Sequence, residues 1–250
     1  MPRFLNPPVV HVLAQVTFTE VLSLPGEIAG IQSNLLKVGF PYFNRQEIGS
    51  WSLTIGPNPR MAKAATSGAR FQFLDRTRTK LVIVGSNSIV MASSDHEDFE
   101  SFEGQFRTVL NAVIDGSRGA TEGALILKVG LRYTDRITPR TGEGISQYVD
   151  PGLLGFTFRD VPVDESIGRT LQLASVAKTD LGRLIVRSFR SEKNQVLPPD
   201  LGNPPLRIRV KTPEGERLAM NAASSRPGIT LDFDHIAEFP PNGDRVIDFT

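Results

Sequence analysis

The sequence predicts an α+β fold in which two longer helices pack on one side of antiparallel sheets. Two observations support this prediction. Several strand-like segments follow one another between the helical ones, so the regular alternation of a parallel βαβ sheet is missing. Prolines also cluster between apolar runs, as at Pro198/Pro199 and Pro204/Pro205, where they mark connections because proline is poorly tolerated inside strands and helices.

The first half begins with a strand and a helix. Residues 9–19 are rich in β-branched side chains, and apolar residues recur at every second position. Pro25 suits the first turn of a helix, and Gly39 can end it. The other strands predicted in this half are 48–55, 70–75, 81–84 and 88–92, and a loop rich in proline and small residues is predicted from 56 to 68.

The strongest helical pattern lies between Asp95 and Asp115. Ser94 and Glu97 have the spacing of a capping box, and Gly116 can end the helix. The apolar residues of this segment recur at helical spacing, and we expect the resulting stripe to be buried against a sheet. Its members are Phe99, Phe102, Phe106, Val109 and Val113.

The second half is predicted to be mostly strands. After a long strand at 124–137 and a short helical turn within 145–154, strands are predicted at 170–177, 184–189, 206–211 and 229–233. We therefore expect an N-terminal α+β unit over residues 1–137 and a C-terminal, mainly β unit over 138–250, packed as one globular body. The two halves could be similar to each other through a diverged duplication.

The composition excludes several kinds of site. The chain has no cysteine, which rules out disulfides, zinc fingers, iron–sulfur clusters and thiol nucleophiles. Its net charge of +1 does not indicate a nucleic-acid partner. No apolar run approaches the roughly 20 residues that span a bilayer, and the start lacks a signal core, so we expect a cytoplasmic protein without a membrane partner. Nucleotide-binding and hydrolase motifs are missing, so we predict no catalytic residues and no cofactor.

Three stretches together resemble a sporadically distributed bacterial family of uncharacterised proteins of similar length. They are PVVHVLAQVTF at 8–18, HEDFESF at 96–102 and KVGLRYTDRI at 128–137, and the Gly-Leu-Arg-Tyr motif at 130–133 is the distinctive part. The segment LDFDH at 231–235 fits a further element of the family. The resemblance implies no established activity. The patchy distribution of the family implies an accessory system, such as phage defence or a toxin–antitoxin locus.

Arg132 is the first candidate ligand-binding residue. On a strand it shares one face with Gly130, and Leu131 and Tyr133 take the other. A glycine inside a strand often allows close approach of another backbone. On that face Arg132 could be buried in an ion pair or directed at an anionic ligand.

Arg207 and Arg209 are the second candidates. With Lys211 they form a basic stripe on one face of a strand, and Arg183, Arg187 and Arg190 would extend it if the neighbouring strand packed alongside. A row of guanidiniums could bind phosphate groups. The alternative is cross-strand pairing with Asp232 and Asp234.

Asp232 and Asp234 are candidate metal ligands. Two carboxylates at i and i+2 on a strand point to the same face, and together they could hold magnesium or manganese. The alternative is a solvated polar face with Leu231 and Phe233 in the core. The three histidines, His11, His96 and His235, show no pairing that indicates proton-transfer catalysis, and His11 is expected to face away from the apolar residues of its strand.

These features favour a non-enzymatic protein that binds a protein partner or a ligand. The alternative is a phosphate- or nucleotide-binding protein, or a metal-dependent enzyme. The alternative requires Arg132, Arg207, Arg209 and the two aspartates to converge, unpaired, in one pocket. Scattered and salt-bridged arginines would favour the first interpretation.

A protein partner or a second copy is also expected at the C-terminal strand. Members of the resembled family usually continue into a last helix, which this chain lacks after Phe249. We therefore expect Ile229, Leu231 and Phe233 to be partly uncovered, and such a patch is usually an interface. The alternative is that residues 237–250 fold back and cover the sheet.

Overall fold

The computed structural model of the chain describes residues 8–54, 60–154, 171–190, 196–201, 204–212, 215–219 and 228–239. Two α-helices and eleven strands lie within these ranges. They are β1 (Val9–Phe18), α1 (Ile28–Lys37), β2 (Tyr42–Thr54), β3 (Arg60–Leu74), β4 (Lys80–Gly85), β5 (Ser88–Ser93), α2 (Phe99–Gly116), β6 (Ile126–Ile137), β7 (Leu171–Thr179), β8 (Gly182–Arg190), β9 (Ile208–Thr212), β10 (Gly215–Ala219) and β11 (Ile229–Glu238). No helix in these ranges has both the length and the apolar character needed to cross a membrane.

Nine strands form one antiparallel sheet in the order β2-β3-β4-β5-β1-β6-β11-β8-β7, and β9 and β10 form a second, two-stranded sheet. This arrangement confirms the α+β class with antiparallel sheets. β1 and β6 pair with each other at the centre of the sheet, where Gln15 lies opposite Gly130, and β11, β8 and β7 follow on the far side of β6. Strands from both halves of the sequence therefore share one sheet.

The main core joins both helices to one face of β1. The residues that α1 and α2 bury there include Ile31, Leu35, Phe102, Phe106, Val109 and Val113, and they share a cluster with Val12, Ala14, Val16 and Phe18. The intervening residues of β1 point to the other face because side chains alternate along a strand. The helices cross so closely that a Cβ atom on Gly116 would lie 2.5 Å from the Cα atom of Ile31. Gly116 is thus needed for helix packing as well as for ending α2.

The beginning of α2 differs from the prediction. The helix starts at Phe99, and the Asp98 carboxylate caps it by accepting a hydrogen bond from the Ser101 N–H at 2.8 Å. Ser94, the predicted cap, instead donates to the carbonyl oxygen of Arg207 at 2.6 Å. The predicted capping box is therefore wrong. Phe99 is 46% exposed, so the predicted buried stripe holds from Phe102 onward but is wrong at its first member.

The loop predicted over 56–68 is also wrong. Arg60 is the first residue of β3, and it pairs with Thr54, the last residue of β2. The segment from Arg60 contains three alanines, which have little intrinsic preference for strands, and pairing with a neighbouring strand outweighs this weak preference. Residues 56–59 of the predicted loop lie outside the described residues.

The C-terminal strand is covered by the region of the predicted short helical turn, a role that was not predicted for it. Ile229 and Leu231 are buried, and they pack with Val149 and with the flanks of two short 3-10 turns, Ile145–Gln147 and Pro151–Leu153. The expectation of partial exposure is therefore wrong for Ile229 and Leu231, whereas Phe233 is only partly buried, as expected. The predicted interface keeps support from Phe233 alone. Of the alternative lid at 237–250, residues 240–250 lie outside the described residues.

Candidate ligand-binding site

A cavity of about 460 Å³ opens on the face of the sheet that α1 and α2 do not cover. Its lining includes the residues of β1 that alternate with the core positions, from His11 to Thr17. Aliphatic residues such as Leu13, Ile83 and Val90 form part of the lining, and polar or charged residues form about half of it. A volume of this size is typical of small-molecule sites.

Gly130 creates part of this space. It lies between Lys128 and Arg132 on the cavity face of β6. A Cβ atom on Gly130 would meet only the carbonyl oxygen of His235, at 3.9 Å, which is an ordinary contact. The expected close backbone approach at this glycine is therefore wrong, and the missing side chain instead leaves the cavity open.

The Arg132 guanidinium is held by two carboxylates. Its Nε and Nη2 atoms donate to Asp232 at 2.7 and 2.9 Å. Its Nη1 and Nη2 atoms donate to Asp200 at 2.8 and 2.9 Å. Burial acts to lower the pKa of Arg132, but the hydrogen bonds to Asp200 and Asp232 outweigh it and hold the pKa above its ordinary value. Arg132 therefore stays charged at any pH at which the fold persists.

Asp232 is the buried centre of this network. Its side chain is fully buried, and it also accepts a hydrogen bond from Arg187 at 2.8 Å. The strand register explains the arrangement, because Asp232 of β11 lies between Thr134 of β6 and Arg187 of β8. Asp234 is 3.8 Å from Arg187, and burial raises the pKa of its carboxyl. Buried charges of this kind are stable only when they are paired and hydrogen-bonded.

The structure brings three of the five predicted site residues together. Arg132, Asp232 and Asp234 share the network, whereas Arg207 and Arg209 lie at β9, which pairs with β10 and not with β8. The predicted extension of the basic stripe along the 184–189 strand is therefore wrong. Arg209 is instead 3.2 Å from Asp95.

The geometry gives no support to a metal ion at Asp232 and Asp234. Both oxygens of Asp232 accept hydrogen bonds from guanidinium groups, so a cation would have to displace them. Within the ranges that the structure describes, no three histidine, aspartate or glutamate side chains cluster in a way that could hold a metal.

Two site residues were not predicted. His11, expected to face away from the core residues of β1, lines the cavity and is 2% exposed. Its Nδ1 atom is buried without a hydrogen-bond partner among the described residues. Burial and the nearby Arg132 charge lower the pKa of His11 to about 4, so the ring is neutral at pH 7. Asp200 lies in a single 3-10 turn, Pro199–Leu201, and no periodic pattern in the sequence distinguishes it.

We expect opposite pH effects from His11 and from Asp135, a residue on the other face of β6 whose pKa burial raises to about 6. Below pH 6.5 the unfolded chain protonates His11 while the folded chain does not, so His11 reduces stability as pH falls towards 4. Asp135 is protonated in the folded state but ionised in the unfolded state between pH 4 and 6, so its effect reduces stability as pH rises through that window.

In His11→Gln, urea midpoints should therefore fall more steeply, or rise less, with increasing pH between 4 and 6 than in the parent protein. In Asp135→Asn they should rise more steeply over the same range. Parallel curves for the parent and both variants would contradict these assignments.

Comparison with known proteins gives no relative. No family model matches the chain, and neither a curated protein nor a solved structure is significantly similar to it. The geometry of the cavity is therefore the basis for a functional conclusion.

Proposed function

We propose that this protein is a non-enzymatic ligand-binding protein whose sheet cavity takes a small amphipathic molecule. The observation that carries the proposal is the open volume above Gly130, lined by aliphatic side chains and by Arg132 and His11. Buried polar atoms in native proteins nearly always have a partner. The unpartnered Nδ1 atom of His11 is therefore a position where a polar group of a ligand would gain a hydrogen bond.

The arrangement of the arginines favours this function over phosphate or nucleotide binding. Arg132 is bound by two carboxylates, and Arg209 pairs with Asp95 away from the cavity. Arg207 is exposed and does not line the cavity. A phosphate site built from these three residues would need them to converge.

Broader features of the protein belong to the same proposal. The proposal includes cytoplasmic residence, and the resemblance to the sporadically distributed bacterial family supports a role in an accessory system, such as phage defence or a toxin–antitoxin locus. A protein partner or a second copy would then respond to the occupied cavity.

The proposal also includes an origin from two similar halves, with units at 1–137 and 138–250. The repeated order of elements starts at β1 and again at β6, which is the last strand of the first unit. Each of these strands is followed by a helical segment and then by a hairpin, β2-β3 or β7-β8, on its side of the sheet. A later strand, β5 or β11, then returns to pair with β1 or β6. A diverged duplication would give this order.

Filling the cavity should abolish binding. The neutral apolar fluorophore Nile red is expected to bind the folded protein with one-to-one stoichiometry, and Gly130→Val should remove that binding because its side chain would enter the cavity. Gly68→Val is the matched control, since Gly68 is also a strand glycine with open space at its Cβ position but lies outside the cavity. Binding is measured by fluorescence titration and folding by circular dichroism. Equal binding by a folded Gly130→Val variant and by Gly68→Val would overturn the proposal.

A further inference from the structure

The two edges of the Arg132 guanidinium have different partners. The edge formed by Nε and Nη2 contacts Asp232, which is fully buried and is also held by Arg187. The end formed by Nη1 and Nη2 contacts Asp200 through two nearly equal hydrogen bonds, at 2.8 and 2.9 Å. The buried pair fixes the orientation of Arg132 and leaves its outer end directed at Asp200.

The two carboxylates also differ in how easily they can leave. Asp232 lies inside the sheet, where losing its partners would leave an unpaired buried charge. The Asp200 side chain is 56% exposed. Its carboxylate can therefore turn away from Arg132 into water and would not become an unpaired buried charge. Only the outer partner of Arg132 is therefore exchangeable.

We propose that the ligand of the cavity is an amphipathic carboxylate and that Asp200 is an internal occupant of the position its carboxylate takes on Arg132. This inference rests on the proposed function of the cavity. Asp200 itself lines the cavity beside Leu201, so a ligand carboxylate that replaces it would leave its apolar part against the aliphatic walls. Ligand binding would then release Asp200 from Arg132.

A carboxylate fits this position better than a phosphate does. The outer end of one guanidinium offers two parallel N–H donors, which match the two oxygens of a carboxylate. The charge of Arg132 is already shared with Asp232, and Lys128, another cation at the cavity wall, lies 3.2 Å from Glu238. A dianionic phosphate would need a second unpaired cation beside Arg132. Arg70, the remaining cation of the lining, lies on β3, which is four strands away from β6 in the sheet.

The test compares decanoate with its neutral analogue decanamide by isothermal titration calorimetry. Removing the internal carboxylate with Asp200→Ser should increase decanoate affinity about tenfold, because hydrogen bonds between charged groups are among the strongest in proteins. Decanamide affinity should stay unchanged. Asp95→Ser is the matched control, since Asp95 also pairs with an arginine but lies outside the cavity. It should change neither affinity.

A second variant tests whether the gain depends on the guanidinium fork. In Asp200→Ser with Arg132→Lys, the preference for decanoate over decanamide should fall, because a lysine cannot offer two parallel donors. Equal decanoate affinity in the parent protein and in Asp200→Ser would overturn this inference. If decanamide still bound in that case, the proposed ligand-binding function of the cavity would stand. Tighter binding of decyl phosphate than of decanoate to Asp200→Ser would overturn the carboxylate assignment. Binding of neither decanoate nor decanamide to any variant would instead contradict the proposed function.

Discussion

Replacing Arg132 with methionine is expected to lower the free energy of unfolding by about 3–5 kcal/mol, the usual cost of removing one partner from a buried ion pair. The loss arises because Asp232 is fully buried and would keep only Arg187 as a cationic partner. Urea unfolding followed by circular dichroism measures the change. A methionine variant as stable as the parent protein would show that Asp232 is already neutral or hydrated.

Two further variants separate the buried charge from the loss of packing. The double variant Arg132→Met with Asp232→Leu should recover much of the stability, since a buried ion pair can often be replaced by apolar side chains of similar volume. Arg209→Met is the matched control, because its pair with Asp95 is partly exposed and such pairs contribute about 0–1 kcal/mol. A double variant that is less stable than Arg132→Met would contradict a penalty from unpaired charge.

Strand periodicity was sufficient to predict the face of the sheet on which the site lies. The alternation along 9–19 separates His11 from the core residues, and the alternation along β6 separates Arg132 from Leu131 and Tyr133. The sequence also leaves open a pairing between an arginine and Asp232. Which arginine takes part could not be predicted, because the register of β11 against β6 and β8 joins residues about a hundred and about fifty positions apart.

Local patterns gave no information about elements that depend on distant partners. The segment after Arg60, with its three alanines, is a strand because β2 supplies its hydrogen bonds. The basic stripe of β9 has the predicted alternation, but its only strand partner among the described residues is β10, so it lies apart from Arg132. Asp200 enters the site through the path of the chain beyond β8. A short turn that contributes one carboxylate leaves no periodic signal in the sequence.

The second large effect on stability is expected from truncating a buried phenylalanine of α2. Phe102→Ala should lower the free energy of unfolding by about 3–5 kcal/mol, because Phe102 is 4% exposed and its removal leaves a cavity between the helix and the sheet. Phe99→Ala is the matched control. Phe99 belongs to the same sequence stripe, but it is 46% exposed at the first helical residue, so its truncation should cost about 0.5 kcal/mol or less. Urea midpoints of the two variants, measured against the parent protein, give the comparison. Equal losses would mean that Phe99 is buried in solution, and the absence of any loss in Phe102→Ala would contradict the packing of α2 on β1.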